Sequence, residues 1–450
     1  MQQNDAQYQK MINTPIHKLV ISLAAPTMIS MLVTSIYNVA DAYFVSKLGT
    51  SASGAVGIVF SLMAVIQAVG FMVGMGAGSV ISRLLGEKES KKAQKTASCA
   101  LLTSVVSGIG ISAFGLAYLT PLMRWMGATD TILPFAVEYA RYILYVAPVM
   151  TASFVLNNVL RAEGKTKLSM VGIASGSLLN VGLDPLFIFG FGWGIRGAAL
   201  ATAVSQCVGC VVLLAFFIGK KTIIHFSAKN LSWDISVYKA FLGNGTPSLF
   251  RQGLASVASV ALNHVAAGYG DAAVAAMSIV GKIFMIVFCV LIGLGQGYQP
   301  VAGYNYGAKE YGRVRQAYHF MLLVGNIGMI ILGAGLFWGA EALLGQFVPK
   351  DGDVAAIGTA ALRMQCAAMP FLTLGIACNM TFQAVGKSVW ATVFASLRQG
   401  CFFLPLILFL PGTFGVTGME AAQPIADIGT FLVCWWAMRK FMKRMQPADG

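Results

Sequence analysis

HKLVISLAAPTMISMLVTSIYNVADAYFVSKLG, residues 17–49, has a diverged second copy 221 positions later, YKAFLGNGTPSLFRQGLASVASVALNHVAAGYG at 238–270. Pro26 falls on Pro247, Val39-Ala40 on Val260-Ala261, and Gly49 on Gly270. The register continues outward, with Gly74 and Gly76 on Gly295 and Gly297 and Gly86 on Gly307. After one residue of slippage Arg141 meets Arg363, Pro148 meets Pro370, Asn157 meets Asn379, and Gly164-Lys165 meets Gly386-Lys387. An apolar chain that reads twice in this way has the pattern of a transporter built from two pseudo-equivalent halves.

The medium follows from composition. Hydrophobic residues make up 57% of the 450 and charged residues 11%, against about 25% charged in ordinary soluble domains. Stretches of about 20 apolar residues suffice to cross a bilayer as helices. Twelve such runs are read here: 18–46, 53–82, 96–119, 133–160, 167–190, 197–219, 237–267, 274–304, 316–339, 355–383, 389–410 and 416–438. None shows the short alternating pattern of a membrane barrel. The expected fold is therefore an all-α integral membrane protein with twelve transmembrane helices in two pseudo-symmetric six-helix bundles. Six passes per repeat give both halves the same orientation, so their symmetry axis runs along the membrane normal. The expected units are an N-terminal lobe over 1–219, a connector over 220–236, and a C-terminal lobe over 237–450.

The net charge of +14 has a topological meaning. Lys47, Arg124, Arg196 and Lys350 are the only basic residues in odd-numbered loops, and Arg141, Arg251, Lys282, Arg363 and Arg398 lie within or at the ends of spans. The remaining 22 of 31 occupy the termini and the even-numbered loops. That bias predicts a multi-pass protein of the cytoplasmic (inner) membrane with both termini cytoplasmic, and it argues against nucleic acid as a partner. The first apolar run is too long for a cleaved signal peptide. The eight cysteines are scattered through spans, Cys207-x-x-Cys210 without partner histidines, and read as small buried hydrophobes. There is no P-loop and no nucleophile–base or metal set, so neither an enzyme nor an ATP-driven pump is expected.

Subtracting one repeat from the other isolates the chemistry. An acid at membrane depth is costly and normally faces a cavity. Asp41 has Leu262 as its counterpart, and Thr34, Tyr37 and Asn38 precede it by seven, four and three residues, placing all four on one helix face. Asp184 follows Asn180 by four residues, with Pro185 just beyond, and the matching region GCFFLP at 400–405 holds no acid. Tyr139 (counterpart Ala361) and Thr202 (counterpart about Gln423) are weaker signals of the same kind. Pro26, present twice, implies a kink and a hinge. In the second half Arg251, Arg398, Glu420 and Asp427 are unrepeated, and mutual pairing inside that bundle is the expectation.

Pro26 and Asp41 on helix 1, Asn180-x-x-x-Asp184 on helix 5 and GQGYQPVAGYNYGA at 295–308, on a twelve-span duplicated frame, resemble the multidrug and toxic compound extrusion (MATE) family over residues 15–440, in its DinF-like, multidrug-efflux bacterial branch. The other bacterial branch carries a Glu on helix 7, where this chain has Arg251. The resemblance implies secondary active export of organic cations by rocking of two lobes, in exchange for H⁺ or Na⁺, with no other cofactor. By matching position, Asp41, Asn180, Asp184, Thr202 and Tyr139 would form the cation or proton site. Na⁺, if used, would sit among Asp41, Asn180, Asp184 and Thr202. Asn157 would line the adjoining substrate pocket. Helix position alone adds Met31, Thr34, Phe60, Met63 and Gln206 as its walls, methionines being suited to varied ligands. The expected partners are organic cations and the lipid bilayer, and the expected state is a monomer. Export of one particular metabolite, or flipping of a lipid-linked precursor, are the competing readings on the same scaffold. Two carboxylates in an apolar pocket do not both stay ionised without a compensating cation, so an ion and a cationic drug would compete for them.

Overall fold

The computed structural model of the chain describes residues 2–219, 221–347 and 352–445; Lys220 and Lys350, counted above, lie outside them. Hydrocarbon offers no partner for backbone N–H and C=O groups, so each apolar run satisfies its own as a helix. In order these are α1 (Gln2–Asn13), α2 (Ile16–Ser46), α3 (Thr50–Gly86), α4 (Ser90–Ala117), α5 (Leu119–Trp125), α6 (Leu133–Ala162), α7 (Thr166–Pro185) and α8 (Gly194–Ile218). After the connector come α9 (Ile235–Ala267), α10 (Asp271–Gly307), α11 (Tyr311–Phe347), α12 (Gly352–Ala384), α13 (Ser388–Ser396) and α14 (Leu404–Arg444).

Ten helical runs are long and apolar enough to cross a membrane. The last, Ser388–Arg444, is two passes, because Gly415 breaks it with φ 59° and ψ −139°. The twelfth is α9, whose 33 residues span about 50 Å but carry Asn244, Arg251, Asn263 and His264. The twelve passes agree with the expected spans to within a few residues. Two elements were not anticipated. The polar N-terminus forms α1, whose fully buried Met11 and Gln7 side chain dock against the core and the Glu163 carbonyl (2.7 Å). A short helix, α5, also separates the third and fourth passes.

The first two passes of each half pack against the first two of the other. α2 lies along α10 and α3 along α9, so the relation is reciprocal under the repeat. Glycines make this possible. A Cβ on Gly76 of α3 would strike the Phe241 carbonyl and Gly245 of α9, and a Cβ on Gly297 of α10 would strike Ala24 of α2. Gly76 and Gly297 are repeat mates, as are Ala24 and Gly245. The same exchange joins Gly86 to Tyr304 and Gly307 to Arg83. Polar pins reinforce the seam: Thr27 Oγ1 donates to the Gly293 carbonyl (2.6 Å) and Ser79 Oγ to the Gln383 carbonyl (2.5 Å). Each of these contacts has one partner on α3 or α10, the helices that lead into the basic loops after Gly86 and Gly307.

The connector is tied to the first half. Glu163, fully buried at the end of α6, accepts from the backbone N–H groups of Ile223 (3.0 Å) and Ile224 (2.9 Å) and pairs with Lys165 Nζ (3.1 Å). Ser98 Oγ accepts from Ser227 N at 3.4 Å.

The seam yields a stability prediction. Gly245→Ala places a methyl against the Met72 carbonyl, whereas a Cβ on Gly253 of the same helix meets nothing within 4 Å. Thermal unfolding of the purified protein in detergent should show Gly245→Ala destabilised by about 1–3 kcal/mol, as for other overpacked sites, and Gly253→Ala unchanged or slightly stabilised.

Candidate functional site

Four helices of the first half bring their unrepeated polar residues to one place. α2 supplies Asp41 and Tyr37, α6 Tyr139, α7 Asn180 and Asp184, and α8 Thr202, with exposures of 3%, 8%, 1%, 2%, 0% and 3% respectively. Asp41 is only five residues before the end of α2 at Ser46, about 7.5 Å of helix. The cluster thus sits toward the end away from the basic loops rather than deep in the span as the sequence suggested, yet it is sealed from solvent. Pro185 ends the regular part of α7, and a π turn over Leu186–Gly190 follows. Such turns recur beside functional residues because they re-aim the side chains around them.

The geometry is specific. Asn180 Nδ2 donates to Asp184 Oδ1 and to Thr202 Oγ1, both at 3.3 Å, and the Thr202 hydroxyl meets Tyr139 OH at 3.5 Å. The Asp41 and Asp184 carboxyls are close enough to act on each other, and among the described residues no basic side chain is among the charged groups acting on them. Tyr37 and Tyr139 both feel the two acids. Three buried oxygens have no hydrogen-bond partner: Asp41 Oδ1, Asn180 Oδ1 and Asp184 Oδ2. Acceptor oxygens converging without donors suit a proton or a hard cation, which oxygen ligands hold best.

The other predicted residues fall elsewhere. Asn157 is 18 residues along α6 from Tyr139, about 27 Å by helix rise. Its Oδ1 accepts from Ser169 Oγ, in a chain that continues through Arg161 to Gln296 of α10. It therefore belongs to the seam and does not adjoin the acid cluster. Met63 is 3% exposed inside an apolar core with Val59 and Ile66, and Phe60 packs against that core; both serve packing. Met31, Thr34 and Gln206 are half-buried, and the Thr34 hydroxyl is occupied by the Ser30 carbonyl at 2.9 Å. Pro26 is buried in an unbroken α2, beside the Thr27 contact to α10. Tyr37 is the cluster member missing from the predicted set, although its spacing four residues before Asp41 marked it. In the second half Arg398 pairs with Asp427 (2.6 Å), as expected. Arg251 and Glu420 do not join them: among the described residues neither has an ion-pair partner, and Asp427, the acid Arg251 could have used, is already engaged by Gln365 and Gln423 (2.8 and 3.0 Å).

A twelve-pass bundle with a reciprocal seam and an enclosed acid pair is the architecture of a membrane transporter rather than an enzyme. Comparison with known proteins gives the family. The MatE family model matches residues 26–186 and again 247–408, so the chain belongs to the MATE family. It is similar to the multidrug export protein MepA of Staphylococcus aureus (strain MSSA476), 26% identical over 424 residues, covering 94% of this chain and 93% of that protein. MepA of Staphylococcus saprophyticus (strain ATCC 15305) is 27% identical over 426 residues, with the same coverage of 94% and 93%. Among solved structures, the outward-facing conformation of a multidrug resistance MATE family transporter of the MOP superfamily superposes with a TM-score of 0.92, at 26% identity over 97% of this chain and 98% of that one.

Two facing acids without a counter-ion strain the folded state. Asp184→Asn keeps the shape, removes one charge and gives Asp41 a donor. It should raise the unfolding temperature by an amount equivalent to about 1–3 kcal/mol, whereas Asp184→Ala, which removes one of the two acceptors of Asn180 and opens a cavity, should not.

Proposed function

We propose that this chain is a multidrug exporter of the cytoplasmic membrane that expels organic cations in exchange for H⁺ or Na⁺ entering at Asp41 and Asp184. The observation carrying this reading is the meeting of two unrepeated, buried carboxylates with three unpartnered oxygens and no basic residue. Their uncompensated charge attracts a cation of either kind, but the enclosure holds one kind at a time, and that exclusivity is what exchange requires. The names of the MepA relatives, both multidrug export proteins, support the choice of cargo.

In this reading residues 1–219 and 237–450 move as two lobes, with 220–236 as the connector and both termini in the cytoplasm. Ion binding at Asp41 changes what the end of α2 must hydrogen-bond. The missing N–H of Pro26 gives that helix a place to bend beside the seam. Asn180 and Thr202 position the second acid, and Tyr139 closes the pocket.

Everted vesicles loaded through ethidium uptake test the coupling, with a proton or a sodium gradient imposed separately. Transport should follow at least one gradient and fall by at least about tenfold, the size expected of a lost ion-pairing group, in Asp41→Asn. Undiminished transport by Asp41→Asn at equal expression, or indifference to both gradients, overturns the proposal.

A further inference from the structure

The second half carries a polar cluster of the opposite sign. Arg251 is sixteen residues from each end of α9, about 24 Å of helix either way, and so lies well inside that pass. Its repeat mate is Ser30, so the charge is not required by the scaffold. A guanidinium at that depth is costly unless it is paired or faces a cavity with a job to do. Its one hydrogen-bonding contact among the described residues is to the Met75 sulfur, a weak acceptor, at 3.6 Å.

Arg251 lines an open cleft whose enclosed part measures about 70 Å³, room for one charged group and the edge of a ring rather than for a whole drug-sized molecule. Arg398, Gln399, Phe288, Phe371 and Phe394 share its lining, and Asp427 is the one acid there. That acid is consumed by three donors: Arg398 Nε at 2.6 Å, Gln365 Nε2 at 2.8 Å and Gln423 Nε2 at 3.0 Å. Arg398 is further held over the rings of Phe284 and Phe288, 5.5 and 4.8 Å from their centroids. One positive charge therefore remains uncompensated, and it belongs to Arg251. Arg398 and Gln399 sit on a π turn, Leu397–Phe403, where the matching residues of the first half, 175–181, are regular helix. Gln399 Oε1 is buried without a partner, and an amide flip would turn its NH₂ donors to the cleft. The repeat has thus been altered here on two elements at once, and both changes bring polar side chains between aromatic walls.

We propose that this cleft binds the negatively charged group of an aromatic organic acid, a carboxylate or sulfonate, with Arg251 as its principal contact and the phenylalanines holding the ring. The guanidinium offers the planar donor pair that such groups take in two parallel hydrogen bonds. The consequence for cargo rests on the export reading. The acids of the first half and the arginine of the second then give the transporter two subsites of opposite polarity, and aromatic acids and zwitterions join the organic cations it carries.

The test uses two dyes of one ring system, anionic fluorescein and cationic rhodamine 6G. Binding is followed by fluorescence polarisation to the full-length protein in phosphatidylcholine nanodiscs. Wild type should bind fluorescein. Arg251→Gln should weaken that binding by about tenfold or more while leaving rhodamine 6G binding intact, which also reports that the variant is folded. Arg251→Lys, which keeps the charge but loses the fork, should restore part of the affinity. Rhodamine 6G binding without fluorescein binding in wild type, or equal fluorescein binding by wild type and Arg251→Gln, overturns the proposal. Failure of the export reading appears separately, as vesicles that move neither dye although the purified protein binds both.

Discussion

Backbone touching backbone across the seam is the contact on which the rest of the molecule depends. Gly76 against α9 and Gly297 against α2 are one contact written twice by the repeat. Hydrocarbon provides no hydrophobic drive between helices, so such small-residue contacts, with their dispersion and a few hydrogen bonds, must hold the halves together. The close approach runs from the helix ends beside the basic loops, at Gly86 and Gly307, to mid-helix positions such as Met72 and Gly293. The acid cluster of the first half lies away from it, near the far end of α2, whereas Arg251 of the second half reaches the seam itself at Met75.

That arrangement explains why charge can be kept inside the bilayer at all. In the first half the carboxyls of Asp41 and Asp184 are enclosed by Tyr37, Tyr139, Asn180 and Thr202, donors too few to satisfy every oxygen. In the second, Asp427 gathers three nitrogen donors and quiets Arg398, leaving Arg251 over. The two halves share one scaffold and have been given opposite electrostatics, which is possible because a repeat fixes backbone paths and leaves individual side chains free to diverge.

The spans, the duplication and the meeting of Asp41 with Asp184 were legible in the sequence, because the membrane writes apolar runs plainly and subtracting repeats exposes what is unique. Asn157 was misplaced for an equally physical reason. Its buried amide and its repeat mate Asn379 gave no hint of depth, and 18 residues of helix carry it far from Tyr139. Met63 looked like a pocket wall, but a methionine on an apolar face packs as readily as it binds. The fate of Arg251 was hidden because Asp427 has a fixed number of lone pairs, and only coordinates reveal which donors have filled them. α1 escaped notice since a polar segment announces no burial until Met11 is seen against the seam.

The connector holds a mechanical consequence. Glu163, Lys165 and Ser98 clasp residues 221–227 to the first half, so the strap is fastened there as a collar and not hung as a slack tether. Tyr238 of α9 reaches back to the Ser232 carbonyl (2.9 Å), and Asp234 caps the start of α9 through Ser236 N (2.9 Å). Ser232 is shared between the halves, its carbonyl facing Cys99 Sγ of α4 at 3.8 Å as well as Tyr238 of α9, so the strap is pinned along its length and leaves little slack chain between them.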